Sequence, residues 1–256
     1  MLNITQLRGG YPDTPVLHDI SFSARPGEIT AVLGPNGCGK STLLKTLCGI
    51  LPPSGGTVTF GGEDLLSLPR NLLSRRVSYL AQSRQVPNIT VRRLVLHGRF
   101  PYLDYPRRYR KADFEAADRA MEQMGLTHLA DTPLERLSGG QRQRVYIAMA
   151  LAQDTPIVLL DEPTTYLDIS HQLQTMAHAR FLAQSGKTVI LVLHDLALAL
   201  QFADRVLVLS HGQTAADGTP DEVFASGCLS RVFGVDVRCA DTPDGRQYYY
   251  KPQERR

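Results

Sequence analysis

A glycine-rich segment near the N-terminus has the spacing of a phosphate-binding loop. Residues 34–41 read GPNGCGKS and match the pattern G-x-x-x-x-G-K-[ST] at every fixed position. An apolar run at residues 29–33 precedes the segment and leucines at helical spacing follow it, which predicts a strand before it and a helix after it. Successive N–H groups of such a loop, together with the N-terminus of the helix, bind phosphate oxygens. A glycine-rich turn without a ligand is the alternative, and the two flanking elements disfavour it.

Side chains of this segment have distinct expected roles. Lys40 is placed to reach the β- and γ-phosphates, and the hydroxyl of Ser41 is placed to bind Mg²⁺. Cys38 lies beside Lys40 close to a helix N-terminus, which predicts a reactive thiol with a lowered pKa. The residues expected to contact the ligand are Gly34, Pro35, Asn36, Gly37, Cys38, Gly39, Lys40, Ser41 and Thr42.

Two adjacent acids follow a second apolar run. Residues 157–160 read IVLL, and Asp161 and Glu162 come directly after them. At the end of a buried strand, Asp161 would lie beside Mg²⁺, directly or through water. Glu162 is then placed to orient or deprotonate an attacking water. Adjacent acids are often no more than a solvated strand end, but the phosphate loop in the same chain favours the functional interpretation.

The remaining pattern supplies the elements that must position these residues. Short apolar runs alternate with helical stretches at 40–48, 170–184 and 196–202, which favours an α/β fold with a mostly parallel sheet. From residue 91 to residue 134 the pattern is mostly helical, with Phe114, Ala117, Met121 and Met124 on one predicted helix face. Residues 235–250 predict a small hairpin around Pro243, Asp244 and Gly245. Strands are predicted at 2–7, 16–22, 29–33, 57–60, 77–81, 157–160, 189–193 and 206–209.

Charge is distributed unevenly along a chain of 256 residues whose formal net charge is only +3. Residues 70–111 hold 11 basic side chains and one acid, Asp104. This run is either a solvated surface or a face that meets an anionic surface such as lipid headgroups. No apolar run approaches the about 20 residues that a membrane span needs, and no secretory signal is visible. Four cysteines without a Cys-x-x-Cys pair favour a reduced, cytosolic setting.

A further motif links the chain to a family. Residues 137–141 read LSGGQ and are followed by Arg142. Together with the phosphate loop and the acid pair, this motif resembles the signature of the ATP-binding-cassette (ABC) ATPases, and the chain looks like the nucleotide-binding subunit of an ABC transporter. The resemblance implies a P-loop NTPase core at residues 1–85 and 151–225, with an N-terminal antiparallel β part. It also implies a helical signature subdomain at 86–150, followed by a C-terminal extension at 226–256.

The resemblance also implies roles for residues that spacing alone does not assign. Tyr11 is similar to the aromatic residue that stacks on adenine, and Gln82 to the lid glutamine that senses Mg²⁺. His194 resembles the switch histidine that contacts the γ-phosphate, so the catalytic set is Glu162, His194 and Lys40. The implied cofactors are ATP and Mg²⁺, with Ser41, Gln82 and Asp161 at the metal.

The same resemblance implies that two cassettes act together, head to tail. Each ATP would lie between the phosphate loop of one copy and the signature of the other, and a homodimer is expected. Asp168 resembles the residue of the loop that crosses the dimer interface. The signature residues expected to contact the second copy's nucleotide are Ser138, Gly139, Gly140 and Gln141.

Finer features point to a class of transport. Residues 98–102 (GRFPY) and 161–172 (DEPTTYLDISHQ) look like those of ATPases that serve iron–siderophore, haem and cobalamin importers. This resemblance implies a separate membrane permease, an extracytoplasmic binding protein and a peripheral position at the cytoplasmic face. The alternative is a soluble ABC ATPase that acts on nucleic acid or ribosomes, although such proteins carry tandem cassettes or a long coiled-coil insertion. A binding module without turnover is disfavoured because Glu162 and His194 are both present.

Overall fold

The computed structural model describes residues 1–82, 86–165, 167–243 and 245–252. Its strands are β1 (Leu2–Tyr11), β2 (Thr14–Ala24), β3 (Ile29–Leu33), β4 (Pro53–Phe60), β5 (Glu63–Asp64), β6 (Val77–Leu80), β7 (Ile157–Asp161), β8 (Thr188–Val192), β9 (Arg205–Ser210), β10 (Gln213–Gly218), β11 (Val235–Thr242) and β12 (Gly245–Pro252). Its α-helices are α1 (Lys40–Leu47), α2 (Arg70–Leu73), α3 (Val91–His97), α4 (Lys111–Gln123), α5 (Gly139–Gln153), α6 (Ile169–Gln184), α7 (Leu196–Phe202), α8 (Pro220–Ala225) and α9 (Cys228–Phe233).

A six-stranded sheet forms the centre of the molecule, in the order β10-β9-β3-β8-β7-β6. All neighbouring pairs are parallel except β10 with β9. Every residue of β3, β7 and β8 is buried, as their continuous apolar runs predict for strands covered on both faces. Val32, Val192 and Asp161 are in register across β3, β8 and β7, so the segments that follow these strands leave from one edge of the sheet.

A second, antiparallel sheet has the order β2-β1-β4-β5 and confirms the predicted N-terminal β part. The prediction for β4 was wrong in extent, because the strand starts at Pro53 and includes Gly55 and Gly56 rather than beginning after them. Gly56 has a left-handed φ of 84°, and a Cβ there would fall 2.3 Å from the carbonyl oxygen of Gln6. Glycine thus allows an irregularity in the β1–β4 pairing, and the strand continues through it.

Three helices, α3, α4 and α5, pack against one another, and the first two lie in the segment 91–134 that was predicted to be mostly helical. Ala117, Met121 and Met124 are buried there, as their helical spacing predicts. Phe114 departs from that face and is 42% exposed, with its ring edge against Tyr109 at a centroid distance of 6.1 Å. Its place in the first turn of α4 leaves it at the rim of the apolar cluster.

The C-terminal segment forms the predicted hairpin. β11 and β12 pair from Val235 with Pro252 to Thr242 with Gly245, and Asp244 of the predicted turn lies outside the described residues. Tyr248 of β12 packs against the main apolar cluster, so the hairpin is attached to the body of the molecule. Within the described residues, no helix is long and apolar enough to span a membrane.

Candidate active site

The predicted phosphate loop joins β3 to α1, as its pattern requires. Gly39 occupies the N-cap of α1 with a left-handed φ of 107°, a conformation that favours glycine. The ammonium of Lys40 is buried and donates to the carbonyl oxygens of Gly34 and Pro35, at 2.7 and 3.0 Å. The loop therefore encloses a positive charge and places it beside the N–H groups at the N-terminus of α1, which have no partner within the helix.

A cleft beside this loop brings several predicted residues together. Tyr11 lies at the end of β1 with 45% of its surface exposed, and its hydroxyl accepts a hydrogen bond from Lys45 at 3.3 Å. Thr14 and Val16 of β2 lie in the same cleft, although sequence reasoning did not select them. The lining residues are Tyr11, Thr14, Val16, Asn36, Gly37, Gly39, Lys40, Ser41, Thr42 and Glu162.

Asp161 is the polar terminus of β7 and is buried next to the loop. Its carboxylate accepts hydrogen bonds from Ser41 Oγ at 3.0 Å and from the hydroxyl of Tyr79 at 2.9 Å. Burial raises the pKa of Asp161, and the two hydrogen bonds oppose that rise. Sequence reasoning missed Tyr79, although β6 is the strand that carries Gln82 just beyond its end. The 3.0 Å between Ser41 and Asp161 brings together the hydroxyl and carboxylate oxygens that Mg²⁺ prefers.

Glu162 follows Asp161 and is held by three other side chains. His194 Nε2 lies 2.6 Å from Glu162 Oε1, and Thr165 donates to Oε2 at 3.1 Å. The side-chain amide of Gln82 also donates to Oε2. Glu162 adopts a left-handed φ of 50°, an uncommon conformation for this residue type that is often found at functional sites. Thr165 is a further contact that the sequence did not single out.

The signature residues form the first turn of α5. Ser138 Oγ accepts from the backbone N–H of Gln141 at 3.2 Å, and Gln141 Oε1 accepts from the backbone N–H of Ser138 at 3.0 Å. This reciprocal capping box fixes the start of the helix, in line with the N-cap preference of serine. In the described chain, neither this turn nor Asp168, which caps α6, lines the cleft of the phosphate loop.

The prediction of a lowered thiol pKa at Cys38 is wrong. The side chain is buried, with 5% of its surface exposed, and burial raises its pKa more than Lys40 and the backbone N–H groups lower it. The loop directs this side chain into the apolar cluster that includes Leu43, Leu44 and Leu47 of α1.

In the folded structure, acidic side chains offset part of the positive charge of the basic run at 70–111. Among the described residues of the run, five cations form ion pairs, four of them with acids that lie outside the run. The pairs are Arg76–Glu63, Arg92–Asp118, Arg99–Asp113, Arg110–Asp104 and Lys111–Glu115. The exposed loop at 104–108 retains Arg107, whose guanidinium lies 4.5 Å from the centre of the Phe100 ring, and Arg108.

The sequence profile of the ABC transporter family matches residues 17–165. This chain belongs to the ABC transporter family. It is an ABC-type ATPase with a P-loop NTPase fold, as the resemblance of its motifs predicted.

Curated relatives extend over nearly the whole chain. The ferric enterobactin transport ATP-binding protein FepC of Escherichia coli K12 is 42% identical, over 94% of this chain and 92% of its own length. The iron(3+)-hydroxamate import ATP-binding protein FhuC of Bacillus subtilis is 39% identical, over 94% of this chain and 91% of its own. The hemin import ATP-binding protein HmuV of Nocardia farcinica is 43% identical, over 94% and 83%.

Solved structures agree with the fold. A chain of an ABC transporter in an inward-facing conformation superposes with a TM-score of 0.85 at 29% identity, covering 99% of this chain and 97% of its own. CbiO1 of Clostridium perfringens, part of the ABC transporter complex cbiONQ, gives a TM-score of 0.78 at 31% identity, covering 90% and 92%.

Proposed function

We propose that this chain energises the import of an iron chelate, namely a ferric siderophore or haem, or of cobalamin, through a separate membrane permease. The observation that carries the proposal is that relatives about 40% identical over nearly the whole chain are named for siderophore, hydroxamate and hemin import. An extracytoplasmic binding protein would deliver the cargo, and the chain would act at the cytoplasmic face of the membrane.

ATP would enter the cleft between Tyr11 and the phosphate loop. The ring of Tyr11 is exposed on one wall and offers a face on which adenine can stack. Lys40 now donates to Gly34 and Pro35, so its ammonium would exchange these carbonyls for phosphate oxygens when the nucleotide binds. Backbone N–H groups from Gly34 to Thr42 would complete the phosphate contacts.

Mg²⁺ fits the oxygen donors beside the loop. Ser41 Oγ and Asp161 Oδ1 lie 3.0 Å apart, and Gln82 adds an amide oxygen from the end of β6. When bound, the ion would neutralise charge on the β- and γ-phosphates. The hydrogen bond from Tyr79 keeps the Asp161 carboxylate oriented toward Ser41.

Hydrolysis would rest on Glu162. Its carboxylate accepts a proton as the water oxygen bonds to the γ-phosphorus and the bond to the β–γ bridging oxygen breaks, giving ADP and phosphate. Thr165 and Gln82 fix the orientation of this carboxylate. His194 would move from Glu162 to the γ-phosphate and stabilise its developing charge.

Two copies would share each nucleotide, with a homodimer as the simplest assembly. Ser138, Gly139, Gly140 and Gln141 start a helix whose N-terminus can bind phosphate, and they line no described part of their own chain's cleft. A second cassette facing the first would bring this turn, and the loop at Asp168, to the opposite phosphate loop. Closure would move the helical subdomain at 86–150 relative to the core at 1–85 and 151–225, and so act on the permease, with the extension at 226–256 attached to the core.

Transport in reconstituted vesicles tests the proposal. The chain would be co-expressed with a permease of the iron-chelate or cobalamin import class and placed in proteoliposomes. The vesicles would be supplied with the matching binding protein and radiolabelled ferric siderophore, haemin or cobalamin. MgATP should drive uptake of one of these cargoes, and Glu162→Gln should abolish it. ATP hydrolysis without uptake of any of them would refute the cargo class, and co-purification with ribosomes or DNA instead of a permease would favour the nucleic-acid alternative.

A further inference from the structure

A histidine on α6 fills the space beside the signature glycine. A Cβ placed on Gly140 would lie 1.9 Å from Cδ2 and 2.3 Å from Nε2 of His171, so only glycine fits against this ring. Gly140 is buried, whereas its neighbours Ser138 and Gly139 are exposed. The first turn of α5 therefore rests on an imidazole supplied by another helix.

The other side of the same imidazole is tied to the loop before α6. His171 Nδ1 lies 2.7 Å from Asp168 Oδ1, and the backbone N–H of His171 and the hydroxyl of Ser170 donate to that oxygen at 2.9 Å each. These hydrogen bonds lower the pKa of Asp168 to about 2, so its carboxylate is ionised and only accepts. The proton of this contact is therefore carried by Nδ1 of His171.

We propose that His171 is a positioning residue that joins the Asp168 loop to the signature turn as one rigid unit. Nδ1 holds the carboxylate of Asp168, and the opposite edge of the ring holds the backbone of Gly140. The inference rests on the proposed two-copy cassette, because both joined elements are assigned there to the face that meets the second copy. A displaced signature turn would then weaken closure of the dimer and leave nucleotide binding in the same chain's own cleft unchanged.

Three substitutions of His171 separate its hydrogen bond from its bulk. His171→Asn keeps a donor at the place of Nδ1, His171→Leu keeps the volume without the donor, and His171→Ala removes both. Each is combined with Glu162→Gln, which is expected to retain ATP. Gln174→Ala, an exposed position one turn along α6, is the matched control. The measurements are the MgATP-dependent monomer–dimer equilibrium by analytical ultracentrifugation and ATP affinity of the dilute monomer by equilibrium dialysis.

The expected result is a selective loss of dimerisation. His171→Ala and His171→Leu should weaken the MgATP dimer about fivefold, because the His171–Asp168 pair is partly exposed to solvent. His171→Asn should stay within about twofold of the parent, Gln174→Ala should match it, and monomer affinity for ATP should not change in any variant.

The other outcomes overturn the proposal in distinguishable ways. Parental dimerisation by His171→Ala, or an equal loss in all three variants, refutes the role of the hydrogen bond. A matching loss of monomer affinity shows general damage to the fold. A Glu162→Gln parent that stays monomeric with MgATP refutes the two-copy cassette, and the positioning role with it.

Discussion

At the scale of single residues, Glu162 carries the sharpest prediction. Glu162→Gln preserves the size of the side chain and an oxygen that can accept from Thr165 and Gln82. The amide, however, cannot accept a proton from water. A positioned general base contributes roughly 10²–10⁴-fold, so kcat should fall by about that factor while ATP affinity stays within a few-fold. Phosphate release in steady state and equilibrium binding of radiolabelled ATP measure the two quantities.

Lys40→Ala is the control for that experiment, because it should lose ATP affinity itself. The ammonium of Lys40 lies inside the loop and has no substitute there among the residues that line the cleft. Parental turnover by Glu162→Gln would exclude this carboxylate as the base and leave His194, 2.6 Å away, as the next candidate.

The thiols carry a second prediction at this scale, opposite to what the sequence suggested. Cys38 and Cys228 are buried with raised pKa values, and burial raises the pKa of Cys48 to about 11. Cys239 on the C-terminal hairpin is only partly buried, and we expect maleimide to label it first. Peptide mapping after brief labelling measures the order, with Cys239→Ser as the control. Preferential labelling of Cys38 would mean that the loop opens far more than the structure indicates.

The phosphate loop and the acid pair could be predicted from sequence because their spacing is fixed by local backbone geometry. Tyr79 could not, since its contact with Asp161 depends on β6 and β7 being neighbours in the sheet. Thr165 contacts Glu162 only three residues away, but that contact depends on how the backbone turns after β7. Cys38 failed for a related reason. The sequence places it beside Lys40, but the direction of its side chain is a property of the folded loop.

At the scale of elements, the loop before α4 carries a prediction about the membrane face. Tyr105 in this loop is 97% exposed, and Arg107 and Arg108 beside it are also exposed. Basic residues near an anionic bilayer contribute about 1 kcal/mol each, so Arg107→Glu with Arg108→Glu should weaken binding to permease-containing anionic vesicles by more than tenfold. Vesicle co-sedimentation at low salt measures it.

The matched control for this loop carries the same charge change elsewhere. Arg25→Glu with Lys251→Glu alters two exposed positions outside residues 70–111. Equal weakening in both double variants would mean that net charge alone acts, and no weakening in either would return the loop to a solvated surface.

The ends of strands could be predicted where a continuous apolar run stops at residues that break or leave a strand. The apolar run at Ile29–Leu33 is a strand with the predicted ends because proline and glycine bound it. The fully buried β7 and β8 were placed within one or two residues for the same reason. β4 was not, because a glycine pair predicts a turn, and only pairing with β1 turns Gly56 into an irregularity inside a strand.

At the scale of the whole molecule, the proposed two-copy mechanism would place one edge of the sheet against a second copy. The edge beyond β3, β7 and β8 carries the phosphate loop, Glu162 and His194, whereas the signature turn belongs to the helical part. The α/β class with a mostly parallel sheet could be predicted from alternating strands and helices, but the strand order could not. The distance of the signature turn from its own chain's cleft could not be predicted from the spacing of the motifs either. That separation is the physical reason to expect two copies for each hydrolytic site.

The C-terminal hairpin is joined to this body at Tyr248, which carries the last prediction. Its ring packs edge-to-face on Phe224 of α8 at a centroid distance of 5.4 Å, and its hydroxyl donates to Asp221 at 3.0 Å. Tyr248→Phe removes only the hydrogen bond and should cost about 1 kcal/mol or less at this partly exposed site. Tyr248→Ala also removes the aromatic pair and buried area, and should cost about 2–3 kcal/mol.

Native-state hydrogen exchange of amides in β11 and β12 measures the free energy of opening the hairpin directly. ATP turnover should stay parental in both variants, because neither Tyr248 nor Phe224 lines the cleft. Equal protection in the Phe and Ala variants would mean that the ring does not hold the hairpin, and that other contacts anchor it instead, such as buried Val237 or Arg246 on Asp221.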